Sequence, residues 1–284
     1  MMNIIFAMIK YSPKLMKINP LRSLLSYFSL FLTSLLFLSF TINSTSAPYR
    51  IKTIVIDAGH GGKAGGAVGK HSTEKKITLE VALRLGKAIQ RTYPDIKVVY
   101  TRTSDIFVPN ENRTNLANRV KADLFISIHC NSMPINHSNR TGIKGVETFV
   151  AGFGRIDEQD VAIRENADIL LEKDYKSKYG GYDPKDPESM IIFSLMKNQF
   201  RDQSIKLATL MQNEYIAAGR INRGVKEQNI LILQRAGMPA VLTEVGFISN
   251  LEEERYLMSE AGQNEIVQNI VAAIGNYKKQ VELR

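Results

Sequence analysis

Apolar residues follow two alternating patterns from about residue 50 onward. Short apolar runs rich in Val, Ile and Leu predict buried strands, and apolar residues at every third or fourth position predict helices that pack on a sheet. The predicted strands are 52–57, 97–101, 124–129, 146–151, 229–233 and 240–244. The predicted helices are 73–92, 111–120, 203–218 and 261–278, with a further helix capped by Ser249 or Asn250. This order predicts an α/β domain with a mixed, mainly parallel central sheet of about six strands and helices on both faces.

The alternation is interrupted between about residues 152 and 201. This stretch contains an amphipathic piece at 163–171, a turn rich in Gly and Pro, and a second apolar piece at 190–196. We interpret it as a helical insertion in the domain, with either a regulatory or a lid function.

The first 47 residues have the composition of a targeting segment. Residues 24–42 carry no charge and are rich in Leu and Phe; Lys and Arg precede them, and the small residues at 45–47 follow. This order is typical of a signal peptide, and Met16 is an alternative start because a usual basic amino-terminal region follows it. An uncleaved membrane anchor is the alternative, since the apolar stretch nearly reaches the length that spans a bilayer. In both cases we expect the domain at 48–284 to be exported, to the periplasm or cell envelope.

Composition and charge narrow the class of partner. The 284 residues are 44% hydrophobic and 23% charged, as in an ordinary globular protein. The formal net charge is +9, and four basic residues of the targeting segment account for part of it. The sequence has no basic run with interleaved aromatic residues, so nucleic-acid binding is not indicated. The one cysteine, Cys130, is predicted to be a small buried residue, and the domain has to be stable without an internal disulfide.

Candidate chemistry begins with His60, in a Gly-rich break after the first predicted strand. His129 ends the third predicted strand, and the carboxyl ends of parallel strands share one edge of a sheet. Glu74 lies in the first turn of the first long helix, across the glycine loop from His60. Two histidines and one carboxylate are the ligand set of a hydrolytic zinc site that leaves one position for water. Each of these residues alone is more often structural, so the prediction rests on their combination.

A general base would complete such a site. Glu244 ends the last predicted strand, and its apolar neighbours would desolvate the carboxylate and raise its pKa. The alternative is that Glu244 pairs with an arginine. His71, in the loop before the long helix, could reach a substrate, whereas His137 lies in a polar loop and is expected to be exposed.

Several ordered motifs strengthen this hypothesis. They are VIDAGHGG at 55–62 followed by EK at 74–75, TR..D at 101–105, SIH.N at 127–131, GVETF at 145–149 and VLTEVGFISN at 241–250. From residue 51 to about residue 278, the chain resembles the zinc-dependent N-acetylmuramoyl-L-alanine amidases of the cell-wall autolysin type (amidase family 3). Ala58 and Cys130 depart from the Pro and Ala of many members, at positions that carry no chemistry.

The resemblance implies a reaction and a set of roles. The reaction is zinc-dependent hydrolysis of the amide between N-acetylmuramic acid and L-alanine in peptidoglycan, for cell-wall remodelling or daughter-cell separation. The implied site residues are the ligands of one Zn²⁺ ion, His60, Glu74 and His129; the catalytic base Glu244; and Arg102 and Asn131, as substrate contacts or site architecture.

The insertion resembles the helical segment of division-associated members, in which a helix blocks the zinc cleft until an activator protein draws it away. By that resemblance, 163–173 would take the blocking role, with Glu165 or Glu172 approaching the metal; a substrate-binding lid is the alternative. The implied partners are peptidoglycan and, in the regulated case, an activator protein, with membrane contact only through an uncleaved N-terminal segment. Two other functions remain open: a zinc peptidase that cuts the stem peptide, and a non-catalytic peptidoglycan-binding relative.

Overall fold

The computed structural model describes residues 20–39, 49–152, 159–181, 183, 186 and 198–282. The chain divides into two compact units, Met1–Ala47 and Pro48–Arg284. In the first unit, the described residues form helix α1 (Pro20–Ser39). Among the residues described, no helix is both long and apolar enough to cross a membrane.

Six strands of the second unit form one sheet. They are β1 (Thr53–Ala58), β2 (Lys97–Tyr100), β3 (Leu124–Asn131), β4 (Val146–Ala151), β5 (Asn222–Gln228) and β6 (Ala240–Phe247). Their order across the sheet is β2-β1-β3-β6-β4-β5. Parallel pairing joins β2, β1, β3 and β6, and also β4 with β5, whereas β4 and β6 are antiparallel. The predicted fold class, α/β with a mixed and mainly parallel sheet, is confirmed.

Helices cover both faces of this sheet. They are α2 (Glu74–Thr92), α3 (Asn110–Arg119), α4 (Asp160–Asn166), α5 (Tyr175–Lys178), α6 (Arg201–Ala217), α7 (Leu231–Gln234), α8 (Leu251–Met258) and α9 (Glu260–Glu282), with a 3-10 turn at Ala167–Leu171. The larger core lies between the sheet and α2, α6 and α9. A second core lies on the other face, under α3 and α7. Asn250 caps α8 by accepting from two backbone N–H groups of its first turn, as one of the two predicted caps.

The alternation of side chains along the strands explains the two cores. In β1, Ile54 and Ile56 face the larger core and Val55 faces the second, because successive strand residues point to opposite faces. Strands covered on both sides are apolar on both sides, which is why β1, β3 and β6 are continuous apolar runs. Cys130 is buried in the larger core, as predicted. The predicted stripe of α2 is also buried there: Ile77, Val81, Leu85 and Ile89.

The prediction of a strand at 229–233 is wrong. Its apolar residues form a loop and the single turn of α7, and a short apolar run cannot be told from a buried helical turn by pattern alone. The sixth strand is β5, with the sequence NRGVKEQ. It escapes prediction because it lies at the edge of the sheet, where most of its side chains are exposed or half-buried and therefore polar.

The described part of the insertion, 159–181, contains α4, the 3-10 turn and α5. The predicted amphipathic piece at 163–171 corresponds to the end of α4 and the 3-10 turn. Asn166 attaches this segment to the residues around α7, since its side chain donates to the Asn229 carbonyl and accepts from the Leu231 N–H, both at 2.9 Å. The predicted apolar piece at 190–196 lies outside the described residues.

Candidate metal centre

The carboxyl ends of β1, β3 and β6 lie side by side at one edge of the sheet. His60 follows β1 in a left-handed conformation (φ 58°), and His129 lies near the end of β3. Glu244 is the register partner of His129 in β6, and Glu74 is the first residue of α2. All four side chains are buried. Residues far apart in sequence therefore meet at the edge where the strand order predicts a site.

Three of these side chains are in direct contact. The imidazoles of His60 and His129 meet edge to face, with ring centroids 4.9 Å apart. The Glu74 carboxylate bridges them, with Oε2 3.2 Å from Nε2 of His60 and Oε1 3.0 Å from Nδ1 of His129. The backbone N–H groups of Ala67 and Cys130 donate to Glu74 at 2.7 and 2.9 Å. These bonds fix the carboxylate between the two rings.

Two glycines leave the space that the cluster occupies. A Cβ atom on Gly59 would lie 2.5 Å from the His129 ring. A Cβ atom on Gly66 would lie 2.6 Å from both the Glu74 carboxylate and the His60 ring, and its φ of +67° also favours glycine. The glycines between β1 and α2 are therefore needed where the backbone passes close to the ligand-type side chains.

A fourth side chain, Glu165 of α4, lies in the same cluster. Its Oε2 is 2.8 Å from Nδ1 of His129 and 3.3 Å from Nε2 of His60. One ligand-type atom from each of His60, Glu74, His129 and Glu165 lies within 4.8 Å of the others. Asp168, in the 3-10 turn, lies 2.8 Å from Nδ1, the other ring nitrogen of His60. The insertion thus contributes two carboxylates to the surroundings of the histidines.

Glu244 lies beside this cluster and is reached by Arg164 of α4. Nη2 of Arg164 is 3.3 Å from Oε1 of Glu244, and its Nε is 3.0 Å from Oε1 of Glu165. The second oxygen of Glu244, Oε2, is buried and has no hydrogen-bond partner among the described residues. One oxygen is therefore held by the insertion, and the other can accept a proton from a water or a substrate.

Charges in the cluster shift its pKa values in opposite directions. Burial lowers the pKa of His129, but the neighbouring carboxylates outweigh it and raise that pKa to about 10. Burial is likewise outweighed at His60, where Glu74 above all holds the pKa well above its usual value. The imidazoles hold the pKa values of Glu74 and Glu165 below their usual values despite burial. Glu244 shows the opposite shift, because burial and then the charge of Glu165 hold its pKa well above the usual range.

This donor set fits a divalent metal ion. Imidazole nitrogens and carboxylate oxygens are common ligands of such ions, and Nε2 of His60 is buried without a hydrogen bond to any described residue. Nδ1 of His60 faces Asp168, which is the arrangement expected where a ligating histidine donates its other N–H to a carboxylate. The cluster could therefore hold a metal beside the buried carboxylate of Glu244.

Comparison with known proteins identifies the family of this domain. Residues 54–276 match Amidase_3, the family described as N-acetylmuramoyl-L-alanine amidase. The chain belongs to this amidase family. The matched range contains the whole cluster and Glu244, and the family and enzyme class predicted from the sequence are confirmed.

Individual amidases agree with this assignment. The chain is 31% identical over 226 residues to N-acetylmuramoyl-L-alanine amidase AmiC from Escherichia coli. The aligned region covers 79% of this chain but only 52% of AmiC. The catalytic domain of the amidase CwlV from Bacillus (Paenibacillus) polymyxa var. colistinus is 30% identical with a TM-score of 0.57, covering 81% of this chain and 99% of that one. The CwlD amidase from Clostridioides difficile, solved in complex with the GerS lipoprotein, is 25% identical with a TM-score of 0.59, covering 81% and 99%.

Arg102 of this amidase, for which the sequence left open either a substrate contact or a role in site architecture, lies under the glycine loop. It is buried, and its guanidinium donates to the backbone carbonyls of Ala58, Gly59 and Lys75 at 2.7–2.9 Å. Burial first, and then the nearby Arg113, lowers the pKa of Arg102 to about 10. These contacts favour the architectural alternative, because two of the carbonyl groups, those of Ala58 and Gly59, directly precede His60, and the third belongs to α2, which carries Glu74.

The other predicted residues lie around the cluster rather than in it. Asn131 is buried, and its side-chain amide donates to Glu147. His71 is exposed, and its backbone N–H donates to the carboxylate of Glu254. Glu172 accepts a hydrogen bond from the Tyr179 hydroxyl at 2.8 Å. Of the two insertion acids predicted to approach the metal, Glu165 lies in the cluster of ligand-type side chains, and Glu172 makes no described contact with the histidines.

A buried ion pair beneath His60 was not predicted. Arg113 lies 2.7 Å from Asp57, and it also donates to the His60 carbonyl at 2.7 Å. Burial raises the pKa of Asp57, but Arg113 and then Ser127 outweigh it and lower that pKa to about 2. An acid inside the apolar run VIDAGH is a signal that could have revealed Asp57. Arg113 has no comparable signal in the sequence, because only the fold brings α3 under the loop.

Proposed function

We propose that this domain hydrolyses the amide between N-acetylmuramic acid and L-alanine in peptidoglycan, with one zinc ion held by His60, Glu74 and His129. The observation that carries the proposal is the convergence of these three buried side chains beside Glu244, inside the region matched by the amidase family. When bound, zinc supplies Lewis acidity to the scissile carbonyl and to the attacking water.

The protein's own groups supply proton transfer and position. Oε2 of Glu244 accepts the proton of the attacking water and returns it to the amine of the leaving L-alanine. Burial and the charge of Glu165 raise the pKa of Glu244, and a carboxyl whose pKa is moved from its usual value toward the working pH is suited both to accept the proton and to return it. Arg102 and Arg113 keep the His60 loop in place through its carbonyl groups.

The products of digestion test this function. The zinc-loaded full chain, incubated with peptidoglycan, is expected to release intact stem peptides with a free L-alanine amine, identified by mass spectrometry. Stem-peptide fragments, with L-alanine still attached to the sugar, would instead indicate a zinc peptidase. Binding to peptidoglycan without any released product, by both the full chain and its Glu165→Ala variant, would indicate the non-catalytic alternative, since inhibition by the insertion would silence only the first.

Zinc affinity is expected to rise with pH. The pKa of His129 is raised to about 10 in the metal-free protein, so below pH 10 its imidazole is protonated and has to lose that proton to bind zinc. The carboxylates of Glu74 and Glu165 are already ionised, because their pKa values are lowered. Each proton released makes the apparent affinity rise about tenfold per pH unit. Competition with a chelator at pH 6, 7 and 8 measures this slope, and an affinity independent of pH would contradict it.

We also propose that the segment 160–168 inhibits the site. Three of its side chains engage the proposed machinery: Glu165 lies among the ligand atoms, Asp168 faces His60, and Arg164 pairs with Glu244. A substrate-binding lid has no need of the Glu165 contacts, since it would leave the ligand atoms to water and substrate. An activator protein that draws the segment away would release the site. The complex of the related CwlD with the GerS lipoprotein supports the idea that an amidase domain of this fold binds a protein partner.

Export follows from the proposed substrate, because peptidoglycan lies outside the cytoplasmic membrane. We propose that residues 1–47 act as a signal peptide or an N-terminal anchor, and that the amidase domain works in the periplasm or cell envelope.

A further inference from the structure

A cavity of about 560 Å³ lies beside the metal centre. Arg164 lines it and also reaches Glu165 and Glu244. Glu147 lines it too, and is the register partner of Glu244 across β4 and β6. The cavity therefore adjoins the place where the amide would be cut. Much of its remaining wall is apolar: Val68, Met133, Pro134, Ile135, Val161 and Phe247.

Arg223 of β5 lines this cavity, and its guanidinium has at least one N–H group without a hydrogen-bond partner among the described residues. Its guanidinium lies 5.0 Å from the centroid of the Phe247 ring. Its Nε is buried and has no hydrogen-bond partner among the described residues. Oε2 of Glu147 lies 3.9 Å from this Nε, which is too far for a hydrogen bond. Arg140, also in the wall, donates only to neutral oxygen atoms in the described part of the chain.

The carboxylate of Glu147 does not need Arg223. Nζ of Lys226 lies 2.6 Å from Oε2 of Glu147, and the Asn131 amide donates to Oε1. The guanidinium N–H groups of Arg223 can therefore bind another acceptor. A guanidinium offers parallel N–H groups that match both oxygens of a carboxylate, and it does so best where surrounding apolar groups reduce its hydration.

We propose that Arg223 recognises a carboxylate of the peptide part of the substrate, and that this cavity is the peptide subsite. The inference rests on the proposed function, since it assumes that a muramoyl peptide is cut at the adjacent cluster. Arg223 and Phe247 belong to strands of the sheet, so they would stay in place if α4, which supplies Val161 and Arg164 to the wall, were drawn away from the metal centre. A peptide combines the two features that the cavity matches, a carboxylate for the arginine and apolar side chains for the wall.

Two matched substrates test the proposal in the full chain. One is a muramoyl peptide whose peptide carboxylates are free, and the other is the same compound with these carboxylates converted to carboxamides. Arg223→Gln is expected to lower kcat/KM for the free carboxylate substrate by about tenfold or more, through KM, and to leave the carboxamide within about twofold. For the free carboxylate substrate, the kcat/KM of Arg223→Lys is expected to lie between those of the parent and Arg223→Gln, because lysine keeps the charge and loses the two parallel N–H groups. Arg84→Gln is the control, since this arginine makes only exposed contacts far along α2.

Equal losses on both substrates, or no loss on either, would overturn the role of Arg223. Failure of both the parent protein and Glu165→Ala to hydrolyse either substrate would instead count against the proposed function. In that case, binding of the peptide without the sugar decides the inference. Calorimetry should show that the parent protein binds the peptide with free carboxylates more tightly than the carboxamide form of the same peptide. Arg223→Gln should remove this difference. Equal affinities of the parent for the two peptides would overturn the proposal.

Discussion

Replacing Glu244 by glutamine is expected to lower turnover by about 10²- to 10⁴-fold while leaving zinc bound. Glutamine has nearly the same shape and can still contact Arg164, but it cannot accept a proton from water and pass it to the leaving amine. Glu244 lies beside the ligand cluster and is not one of the four residues whose ligand-type atoms converge. The measurement is kcat on peptidoglycan or a muramoyl peptide, together with the zinc content of the same protein sample.

His60→Ala is the matched comparison for this experiment. His60 contributes a ligand-type nitrogen to the cluster, so its removal should lower both zinc content and turnover. The two variants separate proton transfer from metal binding, because only one of them should lose the ion. Near-native turnover of Glu244→Gln would contradict the assignment of the base, and loss of zinc from it would place Glu244 among the ligands.

The sequence predicts the sheet residues of this site well, for a physical reason. His60, His129 and Glu244 each lie at or just after the end of a strand that is apolar enough to be recognised, and parallel strands place such ends together. Glu74 is predictable because a helix begins there after a glycine loop. In each case a local pattern fixes the element, and the topology of the fold then fixes the position of the side chain.

The residues that were not predicted depend on contacts between distant elements. Arg164 and Asp168 engage the site only because α4 packs over the sheet edge, and the amphipathic pattern of that segment gives no direction for a single side chain. The strand β5 is polar because it is an edge strand, so the pattern that identifies buried strands does not apply to it. Arg223 in the cavity wall was not predicted for the same reason, since it lies on β5.

Glu165→Ala is expected to raise the activity of the full chain by about tenfold or more. In the present arrangement, Glu165 makes contacts of 2.8 and 3.3 Å with both histidines and one of 3.0 Å with Arg164, all in a buried site. Charge-assisted contacts of this kind are worth about 1.5–3 kcal/mol each, so their loss shifts the segment toward states that expose the metal. The measurement is turnover per bound zinc in the absence of any partner protein.

Glu172→Gln is the control that makes this prediction specific. Glu172 belongs to the same insertion and is buried, but it bonds the Tyr179 hydroxyl and makes no described contact with the histidines. Glutamine keeps an acceptor for that hydroxyl, so the variant should retain the low activity of the wild-type chain. If Glu165→Ala folds, binds zinc and shows unchanged or lower turnover, Glu165 supports the substrate site instead of blocking it. If both variants gain activity equally, inhibition depends on the stability of the whole segment, and the contact of Glu165 with the histidines has no special part in it.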